Sequence, residues 1–306
     1  MGRLRFIIVL LVACTDQPSN DVVAPLPAEL SATGIDGKDV RPFAPQYALW
    51  TDGAEKRRFI SLPPGSTIDA SDPNAWQFPV GTKLWKEFSF DGKKVETRFI
   101  ERTSEGFRFA TYVWNSDGKT ASLAPARGTI AQGHPIPAQN DCKVCHVNAK
   151  SPVLGFSALQ LSGDRDPNAL HATALPANAL DLPALVKEGR LRNFHGTTSP
   201  RLEGRTATER AALGYLHANC GHCHRNEGPL ASLDMKLADG DVASSTVDRP
   251  SRVAPTRMRI ARHAPEASVL VDRIKTREPA TQMPPLGTQK VDEQAVTLLT
   301  RWVGEL

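Results

Sequence analysis

The sequence predicts an α+β chain: a β-rich N-terminal domain that carries a first cysteine–histidine segment, followed by an all-α domain. Three observations carry this prediction. Between residues 42 and 124, apolar and polar residues alternate and the runs are closed by Asp-Gly pairs, the period and punctuation of antiparallel strands. From about residue 201 the apolar spacing changes to three and four, the period of helices facing a core. Between and within these regions the chain repeats one short pattern, C-x-x-C-H, at Cys142–His146 and at Cys220–His224.

The chain begins with a short basic stretch, Met1 to Arg5, an apolar run from Phe6 to Ala13, and Cys14. This layout is that of an export signal. It resembles a bacterial lipoprotein signal peptide, with Leu11-Val12-Ala13-Cys14 as the lipobox. The resemblance implies cleavage before Cys14, a diacylglycerol on its thiol, and residues 1–14 as signal and anchor. Thr15 rather than aspartate follows the cysteine, which by the same analogy points to the outer membrane, on its periplasmic side. Residues 15–41 are polar and rich in Pro, Asp and Ala, and read as a tether with little structure of its own.

In the β-rich region, 42–124, Leu84, Phe88 and Phe90 fall at even spacing before the Asp91-Gly92 turn. Val95, Thr97 and Phe99 continue the alternation to a turn near Ser104-Glu105-Gly106. Phe107, Phe109, Thr111 and Val113 form a third strand, closed by Asp117-Gly118. Trp50, Trp76, Trp85 and Trp114 lie in this region; packing explains them adequately, and walls of a ligand pocket are the sharper use.

The next segment, 125–200, holds Cys142-Lys143-Val144-Cys145-His146. The apolar stretch Ser151 to Leu161 could cover one face of whatever the motif binds, and residues 168–185 read as short helices and turns. In the last domain, 201–306, Thr206-x-x-Glu209 is a capping box. It opens a helix in which Ala212, Tyr215, Leu216 and Asn219 share one side, with Cys220 at its end. His217 falls on another side and His222 inside the motif, so both are expected either at the surface or just behind the ligand-binding residues. Residues 239–256 read as a polar irregular insertion. Arg257 to Ile260 and Ser268 to Arg273 read as a strand or short helix. Ala295, Leu298, Leu299, Trp302 and Val303 make a closing amphipathic helix.

The repeated motif carries the chemistry. C-x-x-C-H is the pattern of covalent c-type haem attachment. Two thiols on one turn reach the two vinyl groups of a porphyrin, and the next histidine can bind the iron. Cys142 and Cys145 with His146, and Cys220 and Cys223 with His224, therefore predict two haem c groups. With Cys14 they account for all five cysteines. Zinc or thiol redox chemistry also uses C-x-x-C pairs, but neither requires a histidine after each pair. An exported chain fits haem attachment, which takes place outside the bacterial cytoplasm.

Three further resemblances extend this reading. Phe78 to Glu87, the hairpins after it and the later C-x-x-C-H look like a small class of β-sheet c-type cytochromes, in which a sheet lysine is cross-linked to the haem. Lys83 and Lys86 stand near that place, and the sheet is expected to pack on the first haem. Residues 201–306 resemble a monohaem class I cytochrome c domain: helix, C-x-x-C-H, Gly228-Pro229-Leu230, Gln282-Met283-Pro284-Pro285, closing helix. That resemblance implies His224 and Met283 as iron ligands and the carbonyl of Pro229 as acceptor for the His224 Nδ1 hydrogen. The whole chain looks like exported dihaem c-type cytochromes. For the first iron, His146 is the proximal ligand, and the sixth position stays open among His134, His171, His195, His217, Met235, Met258 and water or substrate.

The net charge of +4 is too small to argue for nucleic acid. After the leader no apolar run is long enough to span a bilayer. The expected function is electron transfer between periplasmic redox proteins, such as a dehydrogenase, another cytochrome or an oxidase, with the lipid as membrane anchor. The alternative is a dihaem redox enzyme, acting on peroxide or a small nitrogen compound at an open first haem. The 78-residue separation of Cys142 and Cys220 and the β-rich leader do not match dihaem peroxidases. A docking subunit with haems as structural cores is a third class.

Overall fold

A computed structural model describes residues 24–147, 149, 151–225, 235–237 and 242–306. The lipobox with Cys14, and Gly228-Pro229-Leu230, lie outside them. The architecture of the described residues is α+β: one six-stranded antiparallel sheet, two small two-stranded sheets and six α-helices. In chain order the strands are β1 (Arg41–Phe43), β2 (Glu55–Ser61), β3 (Ile68–Asp69), β4 (Lys83–Phe90), β5 (Lys93–Thr103), β6 (Gly106–Trp114), β7 (Ala121–Leu123), β8 (Thr129–Ala131), β9 (His134–Ile136) and β10 (Leu191–Arg192). The main sheet runs β1-β2-β4-β5-β6-β7; β3 pairs in parallel with β10, and β8 with β9 as a small hairpin.

The expected three-strand meander is β4-β5-β6. Its first turn has φ of 49° at Asp91 and 73° at Gly92, the two positive values that a tight hairpin turn needs. Trp85, Phe99, Ala110 and Tyr112 build the core of one sheet face, together with Leu30. Residues 24–40, which composition assigns to a tether, pack on that face. Trp85 Nε1 donates to Thr33 Oγ1 at 2.8 Å, Lys83 Nζ to the Thr33 carbonyl at 2.9 Å and Tyr112 OH to the Pro27 carbonyl at 2.9 Å. Composition misled here because Leu26, Leu30, Ile35 and Val40 are spread singly among polar residues yet pack on this face, and backbone carbonyls complete the attachment.

The opposite face is covered by the segment after the first motif. Ile60, Leu84, Trp76 and Phe78 share one core with Phe156, Leu161 and the helix α2 (Leu182–Lys187). Phe156 sits edge-on to Phe43, Trp76 and Phe78, with ring centroids 4.9, 5.7 and 5.8 Å away. Of the stretch expected to cover a ligand, Val153, Phe156 and Leu161 belong to this core, and Val153 and Leu154 border a cavity.

The remaining helices are α1 (Gln139–His146), α3 (Ala207–Asn219), α4 (Val242–Thr246), α5 (Val269–Lys275) and α6 (Glu293–Glu305). Thr206 caps α3 through Oγ1, which accepts from Glu209 N, while the Glu209 carboxylate turns to Arg205 N rather than Thr206. α3 packs on α6 around Leu213, Leu216, Leu299, Trp302 and Val303. The expected irregular insertion contains α4, whose Val242, Ser245 and Thr246 are buried. No described helix is long and apolar enough to cross a membrane.

A strap, residues 44–52, joins the two halves. Gln46 bonds to Gln160 and Leu159, and Asp52 Oδ1 accepts from Gln289 N and Lys290 N at 2.8 Å each. Tyr47 lies flat on α3 at Gly214, where an added Cβ would stand 1.9 Å from Tyr47 Cε1. Alanine normally improves a helix over glycine by about 1 kcal/mol. Here Gly214→Ala is expected to destabilise the protein by about 2 kcal/mol or more through overpacking, and to become neutral or favourable once Tyr47→Ala has removed the ring. Denaturant midpoints of the two single variants and the double variant check this; additive effects would contradict it.

Candidate functional site

The four described cysteines divide between two adjoining cavities. The larger, about 750 Å³, lies between the sheet and α1; Cys142, Cys145 and His146 line it. The smaller, about 210 Å³, lies under α3; Cys220, Cys223 and His224 line it, with Cys145 at its edge. The two share Trp50, Cys145, Asn219, His222, Pro284 and Leu286 as a common wall.

At the first motif, Asp141 sits in the opening turn of α1 and its Oδ2 accepts from Ala138 N at 3.0 Å, a carboxylate at the positive end of a helix. Cys142 and Cys145 are three apart and so lie on one helix face. The His146 ring stacks on Phe109 at 5.2 Å between centroids. Its Nδ1 is 2.6 Å from the Pro152 carbonyl. A carbonyl only accepts, so Nδ1 carries the hydrogen and Nε2 keeps its lone pair. Burial pushes the imidazole pKa down to about 4, which leaves it neutral, the form that binds a metal. Spacing alone did not reveal Pro152, which lies six residues beyond His146 and outside the motif.

At the second motif, Cys220 ends α3, and Cys223 N and His224 N donate back to its carbonyl at 3.1 and 2.9 Å. His224 is buried, and burial lowers its pKa. Its Nδ1 has no hydrogen-bond partner among the described residues; the expected acceptor, Pro229, lies outside them. Met283 lines the same cavity as His224, as do Met235 and Leu237. Burial pushes the Cys220 thiol up to about 12. Cys223 is pulled down to about 4 by hydrogen bonds from Cys145 and His222. Cys145, which lines both cavities, thus acts on Cys223 across their boundary while both thiols stay free.

The candidates for a sixth ligand at the first iron separate. His134 and His217 line the larger cavity. His171 Nε2 is taken by Asp292 Oδ2 at 2.8 Å, His195 is exposed, Met258 is exposed outside both cavities, and Met235 belongs to the smaller one. Of the two positions expected for His217 and His222, at the surface or just behind the ligand-binding residues, the structure favours the second: both are half-buried and line the larger cavity. The α3 period placed His217 off the core side correctly, but that side faces the cavity instead of water. Among the tryptophans, Trp76 and Trp85 are core residues, whereas Trp50 walls both cavities. Of the two sheet lysines, Lys86 lines the larger cavity and Lys83 points to the other face, onto Thr33.

No family model, curated protein or solved structure matches the chain.

Asn219 holds the wall between the cavities. Its Oδ1 accepts from Trp50 N at 2.8 Å, and its Nδ2 donates to the carbonyls of Ala48 and Tyr215 at 3.1 Å each. Asn219→Ala leaves these buried backbone groups unpaired, so a loss of about 2 kcal/mol is expected. Amide hydrogen exchange at Trp50 should accelerate with it; unchanged protection of Trp50 would contradict the strap.

Proposed function

We propose that the chain is an exported dihaem c-type cytochrome that passes electrons between periplasmic redox proteins. The observation that carries the reading is the pairing of each C-x-x-C-H motif with its own cavity, the two cavities sharing a wall. Cys142 and Cys145 would hold one haem with His146 as ligand. Cys220 and Cys223 would hold the other, with His224 and Met283 lining the same cavity. The residues present fit the group: free thiols on one turn, a neutral histidine oriented by Pro152, and largely apolar walls.

A bound haem supplies a one-electron couple, and a thioether ligand raises its potential. The protein's own residues orient and exclude. Pro152 fixes the His146 imidazole and raises its basicity. Leu216, Leu237 and Ala295 make the smaller cavity apolar. α3, α4, α5 and α6 around the second motif support the cytochrome-c-like reading of residues 201–306. Partners of the dehydrogenase, cytochrome or oxidase kind would meet the protein through brief, small contacts. Cys14 would anchor it to the periplasmic side of the outer membrane.

The larger cavity favours a second reading. No methionine lines it, and His134 and His217 border a space of about 750 Å³, enough for a small substrate beside a bound haem. In that case the first haem is a redox enzyme site, for peroxide or a small nitrogen compound, fed by the second.

Electron paramagnetic resonance of the oxidised, haem-loaded protein decides between them. Two low-spin signals are expected for the carrier. A high-spin signal that shifts on adding peroxide or hydroxylamine would transfer the first haem to the enzyme reading. Met283→Ala should convert the second signal to high spin and open that iron to carbon monoxide; an unaltered signal would assign the ligand elsewhere. Cys14→Ser should move the protein from the membrane to the soluble periplasmic fraction, and retention on the membrane would refute the anchor.

A further inference from the structure

The sheet face that borders the larger cavity carries an ordered row of cations. Register places Arg58 opposite Lys86, Lys86 opposite Arg98, and Arg98 opposite Thr111. Three positive side chains thus stand directly opposite one another on β2, β4 and β5, an arrangement that repels. The adjoining row is apolar: Ile60, Leu84, Ile100 and Phe109.

The compensation for this charge is incomplete. Arg98 has Glu96, at 2.6 Å. Arg58 is only 7% exposed and makes no hydrogen bond or ion pair among the described residues. Lys86 Nζ rests over the Phe88 ring at 4.8 Å and has no carboxylate partner among the described residues. Among the described residues that line the cavity, Arg58, Lys86, Arg98, Arg225 and Arg277 stand against Asp52 and Asp141. Both carboxylates are already engaged, Asp52 with Gln289 N and Lys290 N and Asp141 with Ala138 N. Burial lowers Arg58 to about 10, and burial with the nearby cations Arg58, Lys56 and Arg98 pushes Lys86 well below its ordinary pKa. Arg58, buried and with no acidic partner among the described residues, is the costly member of the row, and a negative group in the cavity would offset that cost.

We propose that Arg58 and Lys86 form a carboxylate-type oxyanion subsite in the first cavity, set beside an apolar wall. The subsite rests on the dihaem reading for one of its two sources: the carboxylates of the haem itself. The other source is a small external oxyanion brought to the first iron. Arginine and lysine serve both, arginine by a planar fork and lysine as a point charge.

The test uses the haem-loaded protein, with the pyridine haemochrome count as its first reading. Two haems per chain are required; fewer would refute the dihaem reading and leave the subsite to be judged by calorimetry with acetate. Arg58→Gln and Lys86→Gln are compared with Lys83→Gln, which alters the opposite face. If the haem's own carboxylates occupy the subsite, both variants lower the first haem's midpoint potential and wild-type protein shows no spectral response to nitrite or acetate. If the source is external, nitrite or acetate perturbs the wild-type spectrum saturably and the variants weaken that response at least tenfold. Arg58→Lys, which keeps the charge, should restore most of either effect. Should Arg58→Gln fail to mature, Lys86→Gln and Arg58→Lys carry the comparison. Potentials and anion responses that match Lys83→Gln in both variants would overturn the proposal, as would an acetate affinity equal in wild type and variants of a haem-free chain.

Discussion

The amide of Asn219 sits where the two halves of the chain meet, one residue before the second motif. It accepts from Trp50 and donates to Ala48 and Tyr215, so a helix end and a strap from the β-rich half are fixed by one buried group. A buried amide with all its partners in place specifies one arrangement, because every alternative leaves a polar group unpaired. The strap has a second anchor where Tyr47 fills the notch at Gly214 and a third at Asp52. Trp50, held between these anchors, forms part of the wall between the cavities. The placement of the two motifs is therefore set by hydrogen bonds and ring packing that involve none of the four motif cysteines.

The sheet then assigns different tasks to its two faces. One face is closed by residues 24–40 through backbone carbonyls and is filled by Trp85, Phe99 and Tyr112. The other is split along the strands: an aliphatic end sealed by Phe156 and α2, and a cationic end left facing the cavity. Because side chains alternate across a strand, Lys83 and Lys86 cannot share a face, and register alone makes Lys86 a cavity residue. The same alternation brings Arg58 and Arg98 to its two sides. Such a row would weaken a sheet that faced only itself; here it borders open space.

What the sequence made legible was local. The β4-β5-β6 meander followed from alternation and from Asp91-Gly92, α3 from Thr206 and Glu209, and α6 from the spacing of Ala295, Leu299, Trp302 and Val303. Each signal lies within a few residues of the element it predicts. The motifs were legible for the same reason. What escaped depended on segments distant in the chain. In residues 24–40 the apolar groups Leu26, Leu30, Ile35 and Val40 follow no strand or helix period, and the carbonyls that complete their attachment are ones any sequence possesses. Pro152 reaches His146 by loop geometry. The cation row needs the β2-β4 and β4-β5 registers together, and no single strand displays it. The interior position of His217 depends on what faces α3, which helical periodicity leaves open.

The two cavities differ in a way that bears on direction. The smaller offers thioethers, Met235 and Met283, in an apolar setting; the larger offers His134 and His217 and a cationic border. A soft thioether favours the reduced iron, whereas histidine on both sides favours it less. On ligand chemistry alone, the proposed electron path runs from the larger cavity to the smaller, across the wall of Trp50, Asn219 and His222. The cation row works against that gradient, since positive charge near an iron also favours the reduced form. An oxyanion seated on Arg58 and Lys86 would cancel part of this charge and restore the difference. If the proposed subsite is filled by the haem's own carboxylates, the gradient is permanent. If it is filled from outside, the gradient between the two irons depends on the ligand, and the row becomes the element through which a bound anion governs electron flow.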